Sequence, residues 1–270
     1  MNNIKTALER AKIENKLNCD SSDKHKNPAS SANMNSKIDA IQYTQTRVIK
    51  TSESRLKEKR IISGFGASYI TDAYRMLRTK VLQKMNNNNW NAMAVTSATS
   101  GSGKTLTAIN LAISIAMEVN QTVLLVDFDF RKPTIHKYFG FTPDYGLSDY
   151  VENETPLNEL MINPGIERLV LLPGKEPVIN SSEVLSSPKM TELVEELKAR
   201  YPSRLIIFDL PSLLTTDDAL AFSPYVDALL MVVEDGKTKA HDLELAIEML
   251  KGFPLLGTVM NKSEENTRNI

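Results

Sequence analysis

Lys104 and Thr105 close a run of small residues, Ala98-Thr99-Ser100-Gly101-Ser102-Gly103. Residue types in this order suit one task, holding a chain of phosphates. Glycines let successive backbone N–H groups turn inward and approach phosphate oxygens, and the N-terminus of a following helix adds partial positive charge. Lys104 can then reach the β and γ phosphates, while the Thr105 hydroxyl is placed for Mg²⁺. Ser100, Gly101, Ser102, Gly103 and Leu106 complete the expected nucleotide contacts, with ATP and Mg²⁺ as the expected ligands. Ala98 stands where the pattern usually opens with glycine, which is acceptable at negative φ.

Two further stretches carry acids at places where a phosphate site needs them. Leu124-Leu125-Val126-Asp127-Phe128-Asp129-Phe130-Arg131 ends an apolar run in alternating charges. In extended chain Asp127 and Asp129 point the same way. One can hold Mg²⁺ through water, and the other can accept a proton from an attacking hydroxyl. Asp127, Asp129, Arg131 and Lys104 are therefore the candidate catalytic set. Leu205-Ile206-Ile207-Phe208-Asp209 ends a second such run, and Asp209 joins Thr105 and Asp127 as a candidate metal ligand. Asp217 and Asp218 precede an apolar helical stretch and read as N-terminal caps.

These side chains need a scaffold that brings distant strand ends together. Apolar runs at 92–96, 122–127, 168–172, 204–209, 228–233 and 255–260 predict strands, several of them buried on both faces. Helical periodicity predicts helices over 70–85, 104–118, 188–200 and 239–252. Alternation of the two predicts a doubly wound α/β fold, a mostly parallel sheet with helices on both faces. In such a sheet ligands gather at the carboxyl ends of the strands, where the loop and both acids fall.

The bulk properties are those of a soluble chain: 270 residues, 41% hydrophobic and 24% charged. The net charge of −1 hides a split, because residues 1–60 hold 13 Lys and Arg against 7 Asp and Glu, a net of +6. A basic arm on an acidic body suggests contact with a membrane surface or nucleic acid, the alternative being a solvated tail. It lacks the interleaved aromatics that would favour nucleic acid. Residues 1–18 carry a short helical pattern, and 19–60 read as a mobile linker. The single cysteine, Cys19, excludes a disulfide framework and fits a reducing cytosol. No secretory leader follows Met1, and no run is long enough to span a bilayer. The expected division is an arm at 1–60, a nucleotide-binding domain at 61–262 and a tail at 263–270.

A phosphate loop, then Leu-Leu-Val-Asp-Phe-Asp-Phe-Arg, then Ile-Ile-Phe-Asp-Leu-Pro resembles the bacterial tyrosine kinases over residues 61–262. The resemblance implies a cytoplasmic P-loop ATPase beside the inner face of the plasma membrane. It also implies a partner, a transmembrane chain-length determinant of capsule or exopolysaccharide export. Asp72, Arg75 and Arg78 match the family's Glu-x-x-Arg-x-x-Arg helix, which implies a homo-oligomer, with Asp72 one methylene short. Gly257-Thr-Val-Met-Asn261 resembles a family strand whose asparagine lies near the adenine. The family's C-terminal tyrosine cluster has no counterpart here, since the last tyrosine is Tyr225. Weak autophosphorylation or none is therefore expected, with any that occurs at Tyr43 in the expected linker; strong labelling of Tyr145 or Tyr150 would contradict this expectation.

Three functions follow. One is a tyrosine kinase acting on another protein, which Asp127, Asp129 and Arg131 favour. Another is a regulatory subunit that gates export by binding ATP, which the missing cluster favours. The third is a partition or septum-site ATPase. Those carry an extra lysine five positions before the phosphate-loop lysine, where this chain has Thr99.

Overall fold

Unbroken runs of Val, Leu and Ile leave no face for water, so the strands they form must be covered on both sides. The computed structural model describes residues 46–64, 66, 68–118, 120–200 and 204–263 and has this arrangement. Its strands are β1 (Arg47–Val48), β2 (Ala92–Ser97), β3 (Thr122–Asp127), β4 (Ile162–Asn163), β5 (Leu169–Leu172), β6 (Arg204–Asp209), β7 (Ala228–Glu234) and β8 (Leu255–Asn261). They form one sheet in the order β1-β4-β5-β3-β6-β2-β7-β8. The six strands from β5 to β8 run parallel; β4 is antiparallel to β5, and β1 follows β4.

The helices are α1 (Glu53–Glu58), α2 (Tyr69–Asn87), α3 (Lys104–Ala116), α4 (Ile135–Phe139), α5 (Leu147–Asn153), α6 (Leu157–Leu160), α7 (Ser181–Leu185), α8 (Pro188–Arg200), α9 (Asp218–Phe222) and α10 (Ala240–Met249). Alternation along each strand sorts side chains into two cores. Ala92, Ala94, Leu124, Val126, Ile206 and Phe208 face one side, with Met190, Leu193 and Leu197 of α8. Met93, Val95, Val123, Leu125, Leu205 and Ile207 face the other, against Ile109 and Ile113 of α3 and Val81 and Met85 of α2. At the carboxyl end of the sheet Phe128 packs against Phe222, Phe208 and Phe130, at centroid distances of 4.7, 5.0 and 5.2 Å. This aromatic floor lies under the strand ends and stiffens the loops that leave them.

The doubly wound α/β expectation holds, and the predicted strands and four long helices appear with shifts of at most three residues at their ends. The expected linker is corrected at its C-terminal end. Residues 46–63 belong to the folded body: β1 adds to the sheet, Leu56 of α1 is buried, and Ile61 is fully enclosed. Asn110 of α3 anchors this strap. Its Oδ1 accepts from the Ile62 and Ser63 amides at 2.9 and 3.1 Å, and its Nδ2 donates to Arg60 and Leu106 carbonyls, both at 3.1 Å. A buried amide with every group engaged is a strong local anchor. The helix expected over 1–18, the linker through residue 45 with Cys19 and Tyr43, Tyr201 and tail residues 264–270 lie outside the described residues.

Candidate nucleotide-binding site

β2 delivers the chain at Ser97 into the phosphate loop, and α3 takes it up at Lys104. Gly101 and Gly103 take φ of +82 and +88, the left-handed region that explains glycine at both. Ala98 is not among the positive-φ residues, so the departure from glycine costs no strain there. Ser97 and Ser102 hydroxyls both donate to the Thr99 carbonyl at 2.8 Å and brace the loop from within. Ser102 is therefore a loop-bracing side chain whose backbone amide alone is left for a ligand. Gly103 caps α3 with no side-chain hydrogen bond, which leaves the amides of the first turn open to an anion. Leu106 is partly buried and packs against the apolar cluster beneath α3.

The acids converge on Lys104 and Thr105. Lys104 Nζ lies 2.8 Å from Asp129 Oδ2 and 3.8 Å from Asp209 Oδ1. The Thr105 hydroxyl donates to Asp209 Oδ2 at 2.6 Å. Asp127 is paired in register with Asp209 on the neighbouring strand, and both are fully buried. One Asp127 oxygen accepts from the Thr134 and Ile135 amides at the start of α4, each at 2.9 Å. The second oxygen, Oδ1, has no hydrogen-bond partner, and Asp209 Oδ1 meets only the Lys104 ammonium at 3.8 Å, beyond hydrogen-bond reach. Burial first, then the Asp209 charge, pushes the Asp127 carboxyl up to about 8. Burial raises Asp209 to about 6, with Lys104 pulling against it. Burial opposes the charge on Lys104, but Asp209 and Asp129 outweigh it and hold its ammonium above the usual lysine range. Two buried carboxylate oxygens that accept no hydrogen bond, beside a threonine hydroxyl, are what a divalent cation would satisfy. No cluster of three or more acidic, His or Cys side chains is placed to hold a metal alone among the described residues. That fits a cation completed by a ligand's own phosphates.

Arg131 does not join this group. The chain turns after Asp129, with the Lys132 amide bonded to the Asp129 carbonyl at 3.0 Å, and the extended alternation ends there. Arg131 instead contacts Asp218 through Nε and Nη2 at 3.2 to 3.3 Å, and Ser181 through Nε at 3.1 Å. Asp218 is fully buried and also accepts from the Ser181 hydroxyl at 2.7 Å. The capping role expected for Asp217 and Asp218 is thereby corrected. Asp217 occupies the cap position without a cap bond, and Asp218 is the acid that Arg131 and Ser181 hold. These three residues staple the loops after β5, β3 and β6 to one another.

At the far end of the site Asn261 closes β8. Its Nδ2 donates to the Ser102 carbonyl at 2.8 Å, so part of the amide serves the phosphate loop. Lys262, which the sequence reading did not single out, donates to the Gly101 carbonyl at 2.7 Å. On α2 Asp72 pairs with Arg75 at 2.8 Å in the open, whereas Arg78 is turned inward to the Ser114 carbonyl and Glu118. Among the described residues no helix is long and apolar enough to cross a membrane.

A parallel sheet with a phosphate loop after β2 and acids at the ends of β3 and β6 defines a P-loop nucleotide-binding protein. The CobQ/CobB/MinD/ParA nucleotide binding domain profile matches residues 93–270. The chain is 31% identical over 214 residues to tyrosine-protein kinase YwqD of Bacillus subtilis (strain 168), covering 78% of this chain and 89% of that protein. It is 29% identical over 197 residues to the putative tyrosine-protein kinase CapB of Staphylococcus aureus, covering 72% and 85%. The kinase domain of Escherichia coli tyrosine kinase ETK superposes with a TM-score of 0.72 at 27% identity, over 83% of this chain and 92% of that one. The septum site-determining protein MinD from Pyrococcus horikoshii OT3, at 20% identity and a TM-score of 0.53 over 67% and 73%, shares the fold. The chain thus belongs to the CobQ/CobB/MinD/ParA nucleotide-binding domain family and, within it, to the bacterial tyrosine-protein kinases.

Proposed function

We propose that this tyrosine-kinase-type P-loop ATPase binds ATP with Mg²⁺ at the loop before α3 and transfers the γ-phosphoryl group to a tyrosine hydroxyl. The observation that carries this reading is the convergence of Lys104, Thr105, Asp127, Asp129 and Asp209 at the ends of adjacent strands. Lys104 and the amides of Gly101 to Thr105 bind the phosphates. Thr105, Asp209 and Asp127 would hold Mg²⁺, which when bound neutralises charge on the phosphate oxygens. Asp129 keeps some solvent exposure, at 14%, while Asp127 and Asp209 have none, so Asp129 is the base that an acceptor hydroxyl can reach. Lys104 Nζ pairs with Asp129 Oδ2 at 2.8 Å. Turning Lys104 toward the phosphates frees that carboxylate for the incoming proton. The part of the Asn261 amide not used by Ser102 serves the adenine edge.

The partner proposed is a transmembrane chain-length determinant of polysaccharide export, with the basic arm against the anionic inner membrane face. A neighbouring copy would meet α2, where Asp72 and Arg75 lie in the open beside exposed Tyr69, Ile70 and Met76. Arg78 holds that helix to α3 rather than reaching across.

Incubation with γ-labelled ATP and mapping of phosphotyrosine by mass spectrometry tests the reading. Among the described tyrosines only Tyr69 and Tyr145 are exposed, so transfer between copies is expected there or at Tyr43. Tyr74, Tyr138, Tyr150 and Tyr225 should stay unmodified. ATP hydrolysis without label on any tyrosine, in the chain or in the partner's cytoplasmic segments, favours the regulatory ATPase instead.

A further inference from the structure

A phosphate loop works only when its peptide units face the right way. In a trans peptide the C=O and the following N–H point in opposite directions, so an outward carbonyl means an inward amide. Gly101 and Gly103 make the loop possible, but glycine gives a peptide plane little resistance to turning over. Something must hold the carbonyls out.

The ends of β7 and β8 do this. Glu234 and Asn261 are paired in register, and the Asp235 amide bonds the Asn261 carbonyl at 2.9 Å. From there two successive side chains reach two successive carbonyls. Asn261 Nδ2 donates to Ser102 O at 2.8 Å and Lys262 Nζ to Gly101 O at 2.7 Å. The approach is close enough that a Cβ on Gly103 would collide with the Asn261 amide. Lys262 Nζ is in turn held by Glu234 Oε1 at 3.1 Å, and Lys237 sits 3.5 Å from the same oxygen. Lys262 takes a φ of +58, a conformation that costs an ordinary side chain energy and that persists where surrounding contacts impose it.

We propose that Lys262, oriented by Glu234, is a positioning residue that fixes the phosphate loop in its anion-binding form from the outside. With Gly101 O held outward, the Ser102 amide faces the phosphates; with Ser102 O held by Asn261, the Gly103 amide does the same. Lys262 touches neither phosphate nor base. Its effect is to spare the bound nucleotide the work of ordering the loop. The proposal rests on the reading of this loop as the nucleotide site.

The test compares Lys262→Met, Lys262→Arg and Glu234→Gln with the wild type in calorimetric titrations with Mg-ADP and Mg-ATP. Lys262→Met should weaken both nucleotides alike, by about fivefold, the scale of one part-exposed charge-assisted contact. KM should rise by the same factor with kcat unchanged, and the melting temperature of the free protein should hold. Amides of Ser102 and Gly103 should exchange hydrogen faster in the empty variant. Lys262→Arg can donate the same bond and should recover most of the affinity, while Glu234→Gln should lose about half as much as Lys262→Met in free energy. Wild-type affinity in Lys262→Met, a selective loss of ATP over ADP, or a loss in Lys262→Arg as deep as in Lys262→Met overturns the proposal. Failure of the site reading looks different. In that case the wild type itself binds neither nucleotide, or Lys104→Met binds as well as wild type.

Discussion

Asp127 on β3 stands directly across from Asp209 on β6, both carboxyls cut off from water and each with an oxygen that accepts no hydrogen bond. Two neighbouring buried acids cannot both ionise cheaply, and here the proton stays on Asp127, raised to about 8. An unfolded aspartate gives up its proton near pH 4. Between about pH 4 and pH 8 the folded form therefore holds protons that the unfolded form has lost, and stability falls as pH rises. Metal-free protein should melt progressively lower from pH 5 to pH 8.5. Asp127→Asn should flatten that slope and melt higher than wild type at pH 8, by at least about 3 °C. The same change should cut ATP turnover by about 10²-fold or more. Thermal melts across pH decide it. A wild-type melting temperature that climbs through this range contradicts the pairing.

Lys104 has a structural role beside the phosphate-binding role proposed for it. It neutralises Asp129 and Asp209 at a site only 12% exposed. Lys104→Met should abolish nucleotide binding in calorimetry. It should also lower the melting temperature at pH 8, since it leaves acids near one another without their cation. At pH 5, where Asp209 can take up a proton, the loss should shrink. An equal loss at both pH values would mean that the lysine acts through packing alone.

Arg131 should behave as a staple rather than a catalytic group. Removing it leaves Asp218 buried with the Ser181 hydroxyl for company. Because the arginine is itself half exposed, the expected cost is discounted to about 1–3 kcal/mol. Urea denaturation should show that loss for Arg131→Ala, and Arg131→Lys should recover less than half of it, since an ammonium cannot reproduce the fork. Adding Asp218→Asn to Arg131→Ala should restore most of the stability. An Arg131→Ala midpoint equal to wild type removes the staple.

The strap over residues 46–63 sets where the chain can be cut. A chain beginning at residue 61 loses Leu56 from its core, worth about 1.5–3 kcal/mol, together with the sheet addition at β1. It should melt several degrees below a chain beginning at residue 46. Salt-sensitive binding to anionic vesicles, if carried by the basic residues before 46, should already be absent from the longer of the two truncations. Identical melts would show that the strap contributes nothing.

Long elements were legible because their patterns are local and repeated. β3, β6 and α8 begin and end where apolar periodicity begins and ends. The loop, Asp127, Asp129 and Asp209 were legible because strand-end acids after a phosphate loop have few other uses. Short pieces such as β1, β4 and α6 carry two to four residues, too few for any period, and tertiary pairing alone creates them. Arg131 was misplaced because extended alternation was carried one step past a turn. Asp218 was misread because an acid before an apolar helix looks like a cap whether or not a cation waits above it. Lys262 left no local signal at all: its acceptor lies 161 residues earlier.

The two-residue pairing of β1 and the three bonds from Asn110 to the strap hold the chain at two separate points, and their order has a mechanical meaning. Tension applied upstream of residue 46 would peel Arg47 and Val48 from the sheet edge first, a zipper of very few teeth. The pull would then reach Arg60, Ile62 and Ser63, where Asn110 fastens the chain to the helix that begins at Lys104. Weak forces would be absorbed as slack before the phosphate loop felt them. A load that outlasts the β1 pairing would be passed by the intact Asn110 anchor to the helix that starts at Lys104.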